Sequence, residues 1–94
     1  MSVLVFGKTG QVATELQQHP EVLALGRDAA DLSDPEACAA AIRAHRPKAV
    51  INAAAYTAVD RAESEEALAF RVNAEAPAAM ARACAALGVP FVTI

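Results

Sequence analysis

A chain of 94 residues with 11 acidic against eight basic side chains carries a formal net charge of −3 at pH 7, which excludes a general nucleic-acid surface; no basic run offsets it. The composition is 55% hydrophobic but only 4% aromatic, so one small domain must build its core from Ala, Val, Leu and Ile. No stretch approaches the length of a membrane span, and Lys8 interrupts the opening apolar run before a signal-peptide core could form.

The first strand is expected over Val3–Phe6, a run of strand formers that stops at Gly7. Gly10 follows, and a helical pattern starts at Gln11. A buried parallel strand, a glycine turn and a helix N-terminus together make a site for a diphosphate. Gly7 lets the chain turn sharply, and Gly10 lets the backbone approach a phosphate with no Cβ in the way. The N–H groups of the first helical turn, from about Gly10 to Val12, then face the anion. Ala13 stands where the usual third glycine would be, and a small residue suffices there for helix–strand packing. Lys8 and Thr9 are candidates to contact a phosphate or a 2′-phosphate. The plain alternatives are a solvated lysine and an ordinary tight turn between strand and helix.

The helix is expected over Gln11–Gln18, with Val12, Ala13 and Leu16 inward and His19-Pro20 ending it. Glu21–Leu25 is a second apolar run, stopped by Gly26, with Arg27 to Ala30 a loop and Asp31-Leu32 a very short strand. Ser33-Asp-Pro-Glu36 reads as a capping box with proline in the first turn. Cys38, Ala41 and Ile42 recur at helical spacing until Pro47 stops the helix. Lys48–Ile51 is the next buried strand, opening onto Asn52–Ala55 and then Tyr56-Thr57. A helix cap is expected at Ser64, with Glu65 and Glu66 at the positive end of the dipole. Leu68, Val72, Ala76, Ala79, Ala83 and Leu87 mark one face of a long helix that Pro77 should kink. Gly88 caps it, and Pro90–Ile94 begins another buried strand.

Strands alternating with helices predict an α/β fold, a Rossmann-type doubly wound parallel sheet. With an apolar strand reaching Ile94, residues 1–94 read as the amino-terminal portion of a larger protein. Cys38 and Cys84 fall at interior helical positions and belong to no C-x-x-C pair. They read as small buried hydrophobes in a reducing cytoplasm. His19 and His45, near helix ends, suit the dipole and share no metal-ligand spacing.

In this topology Gly7–Val12, Gly26–Asp28, Asp31-Leu32 and Ala53–Thr57 open onto one sheet edge. The second stretch lies where a dinucleotide site reads the adenosine ribose. An acid there would bind the 2′-hydroxyl and repel a 2′-phosphate; Gly26-Arg27 offers an uncharged position and a guanidinium, which favours or at least permits NADPH. Asp28 is the competing reading, as a ribose acid shifted along the loop. Asp31 has a carboxylate for an adenine amino group, with Leu32 against the base; its bland reading is a loop aspartate before a helix cap. Ala53, Ala54 and Ala55 leave space where a nicotinamide ribose would lie, or simply make a tight loop. Asn73, mildly unfavourable within a helix, reads as a structural tie to the Asn52 loop.

Three segments occur in order: Phe6-Gly-Lys-Thr-Gly-Gln-Val12, then Asn52-Ala-Ala-Ala-Tyr-Thr-Ala-Val-Asp60 with Ala62-Glu63-Ser64, then Val72-Asn-Ala74. Together they resemble the dTDP-4-dehydrorhamnose reductase family of the extended short-chain dehydrogenase/reductases, in register over essentially the whole chain. The resemblance implies a Rossmann domain binding NADPH or NADH. The implied reaction reduces the 4-keto group of a dTDP-sugar to give dTDP-L-rhamnose, a precursor of bacterial surface polysaccharide. Carried over by position, the cofactor contacts are Gly10, Gln11 and Val12, then Asp31 and Leu32, then Ala55, Tyr56 and Thr57. The family also suggests a homodimer and Mg2+, whose ligands would lie past Ile94. Gly26 stands where many members have an acid, which puts an NADH preference in doubt.

The family's chemistry needs a Ser/Thr and a Tyr-x-x-x-Lys pair, whose tyrosine protonates the new alkoxide while the lysine lowers its pKa. The sole tyrosine is Tyr56, followed four residues on by Asp60, and the lysines are Lys8 and Lys48. No catalytic residue is therefore assigned. Two other readings stand beside the reductase. One is a non-catalytic subunit like the reductase-like partner of methionine adenosyltransferase; the other is an extended-family epimerase or dehydratase.

Overall fold

Short runs of Val, Leu, Ile and Phe form four parallel strands: β1 (Val3–Phe6), β2 (Val22–Leu25), β3 (Ala49–Asn52) and β4 (Phe91–Thr93). In the computed structural model, which describes residues 2–8, 11–26, 29–53 and 70–93, they make one sheet in the order β2-β1-β3-β4. Phe6 lies in register with Leu25 on one side and Asn52 on the other, and Asn52 with Thr93. The carboxyl ends of all four strands are therefore level.

Helix α1 (Gln11–Leu16) links β1 to β2, α2 (Pro35–His45) precedes β3, and α3 (Ala76–Leu87) precedes β4. The step from β1 to β2 runs one way across the sheet, and the later steps run the other. Right-handed crossovers then put α1 on one face and α2 with α3 on the opposite face. Packing agrees. Leu4, Phe6 and Val50 cluster with Cys38, Ile42, Met80, Ala83 and Cys84, whereas the fully buried Val5 and Ala13 stand outside that cluster. Each large side chain sealed there, Phe6, Leu4, Ile42 and Met80 among them, contributes roughly 1.5–3 kcal/mol by leaving water.

The outer strands are less covered than uniformly apolar runs suggest. Leu23 on β2 and Val92 on β4 are 40% and 55% exposed. Helix α1 is shorter than expected, ending at Leu16, and it buries Ala13 alone. Val12, expected inward, is 43% exposed: neighbouring helical positions are roughly 100° apart, so one turn can press only one of the two onto the sheet.

Asp31-Leu32 forms no strand. The Asp31 carboxylate accepts from the Ser33 amide at 2.9 Å and the Ser33 hydroxyl at 2.8 Å, and Asp34 N–H donates to the Asp31 carbonyl at 2.9 Å. These local bonds compete with a ladder and turn the chain into α2. The N-cap of α2 is Asp34, one residue past the expected serine; its side chain accepts from Ala37 N–H at 3.3 Å, with Pro35 opening the helix. At the other end Arg46 takes the left-handed conformation with φ 46° and donates to the Ile42 carbonyl at 3.0 Å. Gly88 ends α3 with φ 69°, as its sequence position implies. Ahead of Pro77 the chain forms a π-helical turn, Arg71–Glu75, that runs directly into α3. A wider turn there accommodates a residue with no N–H and a ring that crowds the preceding turn. The expected cap at Ser64, with Glu65, Glu66 and Leu68, lies outside the described residues.

Candidate functional site

The level strand ends create an edge, and the reversal of winding opens it. Gly7 N–H still donates to the Leu25 carbonyl at 2.9 Å, and Ala53 N–H to the Phe6 carbonyl at 2.9 Å. Past those rungs the chain after β1 leads into α1 on one face, while α3, ahead of β4, packs on the other. That reversal between β1 and β3 is the topological switch point, at whose crevice open α/β sheets bind ligands. Gly7 has φ 108°, a conformation a residue with a Cβ rarely adopts, so the sharp turn expected there is real.

Gln11 and Val12 begin α1 and are exposed; Lys8 is exposed and Ala53 half-buried. Gly26 follows β2 at the same edge, and its carbonyl accepts from Ala29 and Ala30 N–H at 3.1 and 2.9 Å. Asp31 is half-buried and oriented by Ser33. Leu32, expected against a base, is instead a core residue only 9% exposed. Thr9, Gly10, Arg27, Asp28, Ala54, Ala55, Tyr56, Thr57 and Asp60 lie outside the described residues.

Sequence reasoning missed two side chains. Asn52, read as a loop residue, ends β3, is 2% exposed, and donates its Nδ2 to Thr93 Oγ1 at 3.2 Å. That bond ties the ends of β3 and β4; the signal was an amide closing an apolar run. Asn73, expected to tie the helix to the Asn52 loop, lies in the π-helical turn Arg71–Glu75. Gln17, just past α1, donates Nε2 to the Lys8 carbonyl at 2.8 Å and the Ala13 carbonyl at 3.0 Å. No sequence pattern marks so irregular a bond.

Cys38 and Cys84 are fully buried free thiols. Burial pushes Cys38 up to about 11, helped by the charges of Asp34 and Asp31, and burial raises Cys84 too. Both are inert at neutral pH, as expected for small hydrophobes. Among the described residues no helix is long and apolar enough to cross a membrane, and no group of three or more His, Cys, Asp or Glu comes together to hold a metal.

Comparison with known proteins places this edge in a family. The model of the RmlD substrate binding domain matches residues 1–94. The chain belongs to that family. A dTDP-4-dehydrorhamnose reductase from Streptomyces griseus is 47% identical over 90% of this chain and 30% of its own length. Among solved structures, a dTDP-4-dehydrorhamnose reductase from Clostridium acetobutylicum superposes with a TM-score of 0.87 at 31% identity, covering 97% of this chain and 34% of that one. A Bacillus anthracis dTDP-4-dehydrorhamnose reductase in complex with NADP gives 0.84 at 29% identity, covering 96% and 34%. This member of the RmlD family thus spans about a third of the length of the relatives it matches, and its parallel sheet has the Rossmann-type arrangement expected from the sequence.

Proposed function

We propose that residues 1–94 form the NAD(P)-binding Rossmann portion of a longer NADPH- or NADH-dependent reductase that converts dTDP-4-dehydro-L-rhamnose to dTDP-L-rhamnose. The observation that carries the reading is the switch point between β1 and β3, where the winding reverses beside the left-handed Gly7, in a member of this family. The residues fit a dinucleotide. Gly7 holds a left-handed turn at the crevice, the chain beyond it leads into a helix, and small Ala53 opens the opposite wall.

In this reading Gly7, Lys8, Thr9, Gly10, Gln11 and Val12 hold the pyrophosphate by backbone N–H groups. Arg27 reads a ribose 2′-phosphate, Asp31 and the backbone around Leu32 border the adenine, and Ala53, Ala54, Ala55, Tyr56 and Thr57 line the nicotinamide side. Bound there, the nicotinamide supplies a hydride to a ketone. These residues bind and orient it and keep bulky side chains out of its trough. The proton for the new alkoxide needs a donor within about 2.6–3.2 Å, and none of the assigned residues is given that task. The two buried thiols suit a reducing cytoplasm, and a homodimer and Mg2+ remain family properties to be tested on the longer protein.

The test compares residues 1–94 with the full-length protein, following NADPH oxidation with the dTDP-4-keto sugar. The long chain should turn over and the short one should not. Activity in the short chain that is lost in Tyr56→Phe would overturn the reading that these residues bind and orient the cofactor without supplying the proton. A full-length protein that binds neither NADPH nor NADH would overturn the reading as a whole.

A further inference from the structure

The loop after β1 must be both glycine-rich and fixed, two requirements that oppose each other. Glycine gives the backbone the shape a diphosphate needs but also the most conformational freedom to lose. Gly7 is anchored on its amide side, where its N–H reaches the Leu25 carbonyl at 2.9 Å. Two peptide groups on, the Lys8 carbonyl is anchored by a side chain. Gln17 Nε2 donates to the Lys8 carbonyl at 2.8 Å across the whole loop, and to the Ala13 carbonyl at 3.0 Å. The Gln17 backbone N–H also donates to the Ala13 carbonyl at 3.0 Å, which fixes the residue at the end of α1. One primary amide thus clamps the start of the loop to the far end of the helix that follows it.

We infer that Gln17 is a positioning residue for dinucleotide binding, holding the glycine loop in the form that accepts a diphosphate; this rests on the function proposed above. Two physical effects give it that role. A carbonyl oxygen turned toward the crevice would repel an anion, and the Gln17 amide occupies the Lys8 carbonyl from the helix side. Part of the cost of ordering the start of the loop is then met before the ligand arrives. Gln17 itself is exposed and contributes nothing to the core. A carboxylate in its place would face two carbonyl oxygens with no proton to give.

The competing role is a plain helix-end cap, which would matter to stability and not to binding. Three variants of the full-length protein separate them: Gln17→Met, matched in length but without donors; Gln17→Asn, which keeps an amide but is too short for Lys8; and Gln17→Glu. NADPH and NADH affinities are measured by calorimetry, and Tm is measured without ligand. Gln17→Met and Gln17→Asn should each weaken NADPH and NADH by the same factor, about three- to tenfold for one positioning hydrogen bond, with the NADPH-to-NADH ratio unchanged. Gln17→Glu should lose more, and the excess over Gln17→Met should vanish at high salt because that part is exposed charge repulsion. Affinities for both cofactors within about twofold of wild type in Gln17→Met would reduce Gln17 to a cap and overturn the inference while leaving the proposed function intact. A weakened affinity in Gln17→Met that Gln17→Asn restores would also overturn it, since the bond to Lys8 would then be irrelevant. If wild type binds neither cofactor, the proposed function fails, and this inference with it.

Discussion

The two faces of the sheet are built to different standards. On one, α2 and α3 lay Cys38, Ala39, Ile42, Met80, Ala83 and Cys84 against Leu4, Phe6 and Val50 in a single cluster. On the other, the six residues of α1 bury only Ala13, and the loop ahead of that helix is held by hydrogen bonds from Gly7 and Gln17. The first face supplies stability through apolar area. The second supplies a site through backbone geometry. A ligand edge cannot be sealed with large side chains without filling itself, so it is fastened by polar interactions of modest net strength.

Three changes would break or sharpen that contrast. The largest effect belongs to the packed face. Ile42→Ala should cost about 2–5 kcal/mol of unfolding free energy in a urea titration of the full-length protein, since Ile42 is fully buried between elements. The folded fraction should bind NADPH as wild type does. If binding falls in step with stability, the two faces are not separable and the comparison fails. The next effect belongs to the site face. Gly26 is not among the described glycines with positive φ, which are Gly7 and Gly88, so its backbone does not demand glycine. Gly26→Asp should shift preference from NADPH toward NADH by about ten- to a hundredfold, the worth of one charge-assisted hydrogen bond, with Tm little changed. An unmoved preference would show that the ribose is read elsewhere. The smallest effect returns to the packed face, at the end of α2. Arg46 holds φ 46° and its side chain is exposed. Arg46→Gly should relieve left-handed strain and stabilise by about 0.5–1 kcal/mol, net of the extra freedom glycine brings to the unfolded chain. Thermal unfolding of the variant checks the sign; a loss of stability would mean that the arginine side chain matters more than its backbone.

What could be read in the sequence, and what could not, follows the same division. The apolar runs at Val3, Ala49 and Phe91 specify strands because burial on a parallel sheet demands unbroken hydrophobicity, and Gly88 specifies its own cap because glycine alone adopts that conformation freely. Gly7 was legible for the same reason. Features decided by competition between similar local bonds were not. Ser33 and Asp34 are both good caps, and only the geometry set by Asp31 hands the task to Asp34 and turns a would-be strand into a turn. Arg46 is left-handed because the chain must reverse after α2, a demand of the fold that its side chain does not announce. Val12 looked like core until the brevity of α1 was known. Gln17 was invisible because a long polar side chain on a surface helix has many ordinary uses, and only three-dimensional reach selects Lys8.

The two cysteines give the packed face an internal reporter. Cys38 lies on α2 and Cys84 on α3, both sealed from solvent, with Cys38 pushed up to about 11. Alkylating reagents require a thiolate and access to it, so in the closed state neither thiol can react at neutral pH. Each becomes reactive only in the moments when its helix lifts from the sheet. Under conditions where reclosing outpaces labelling, the alkylation rate of each thiol reads the open population of its own helix. Equal protection at the two positions would identify α2 and α3 as one cooperative unit, and unequal protection would rank which leaves first.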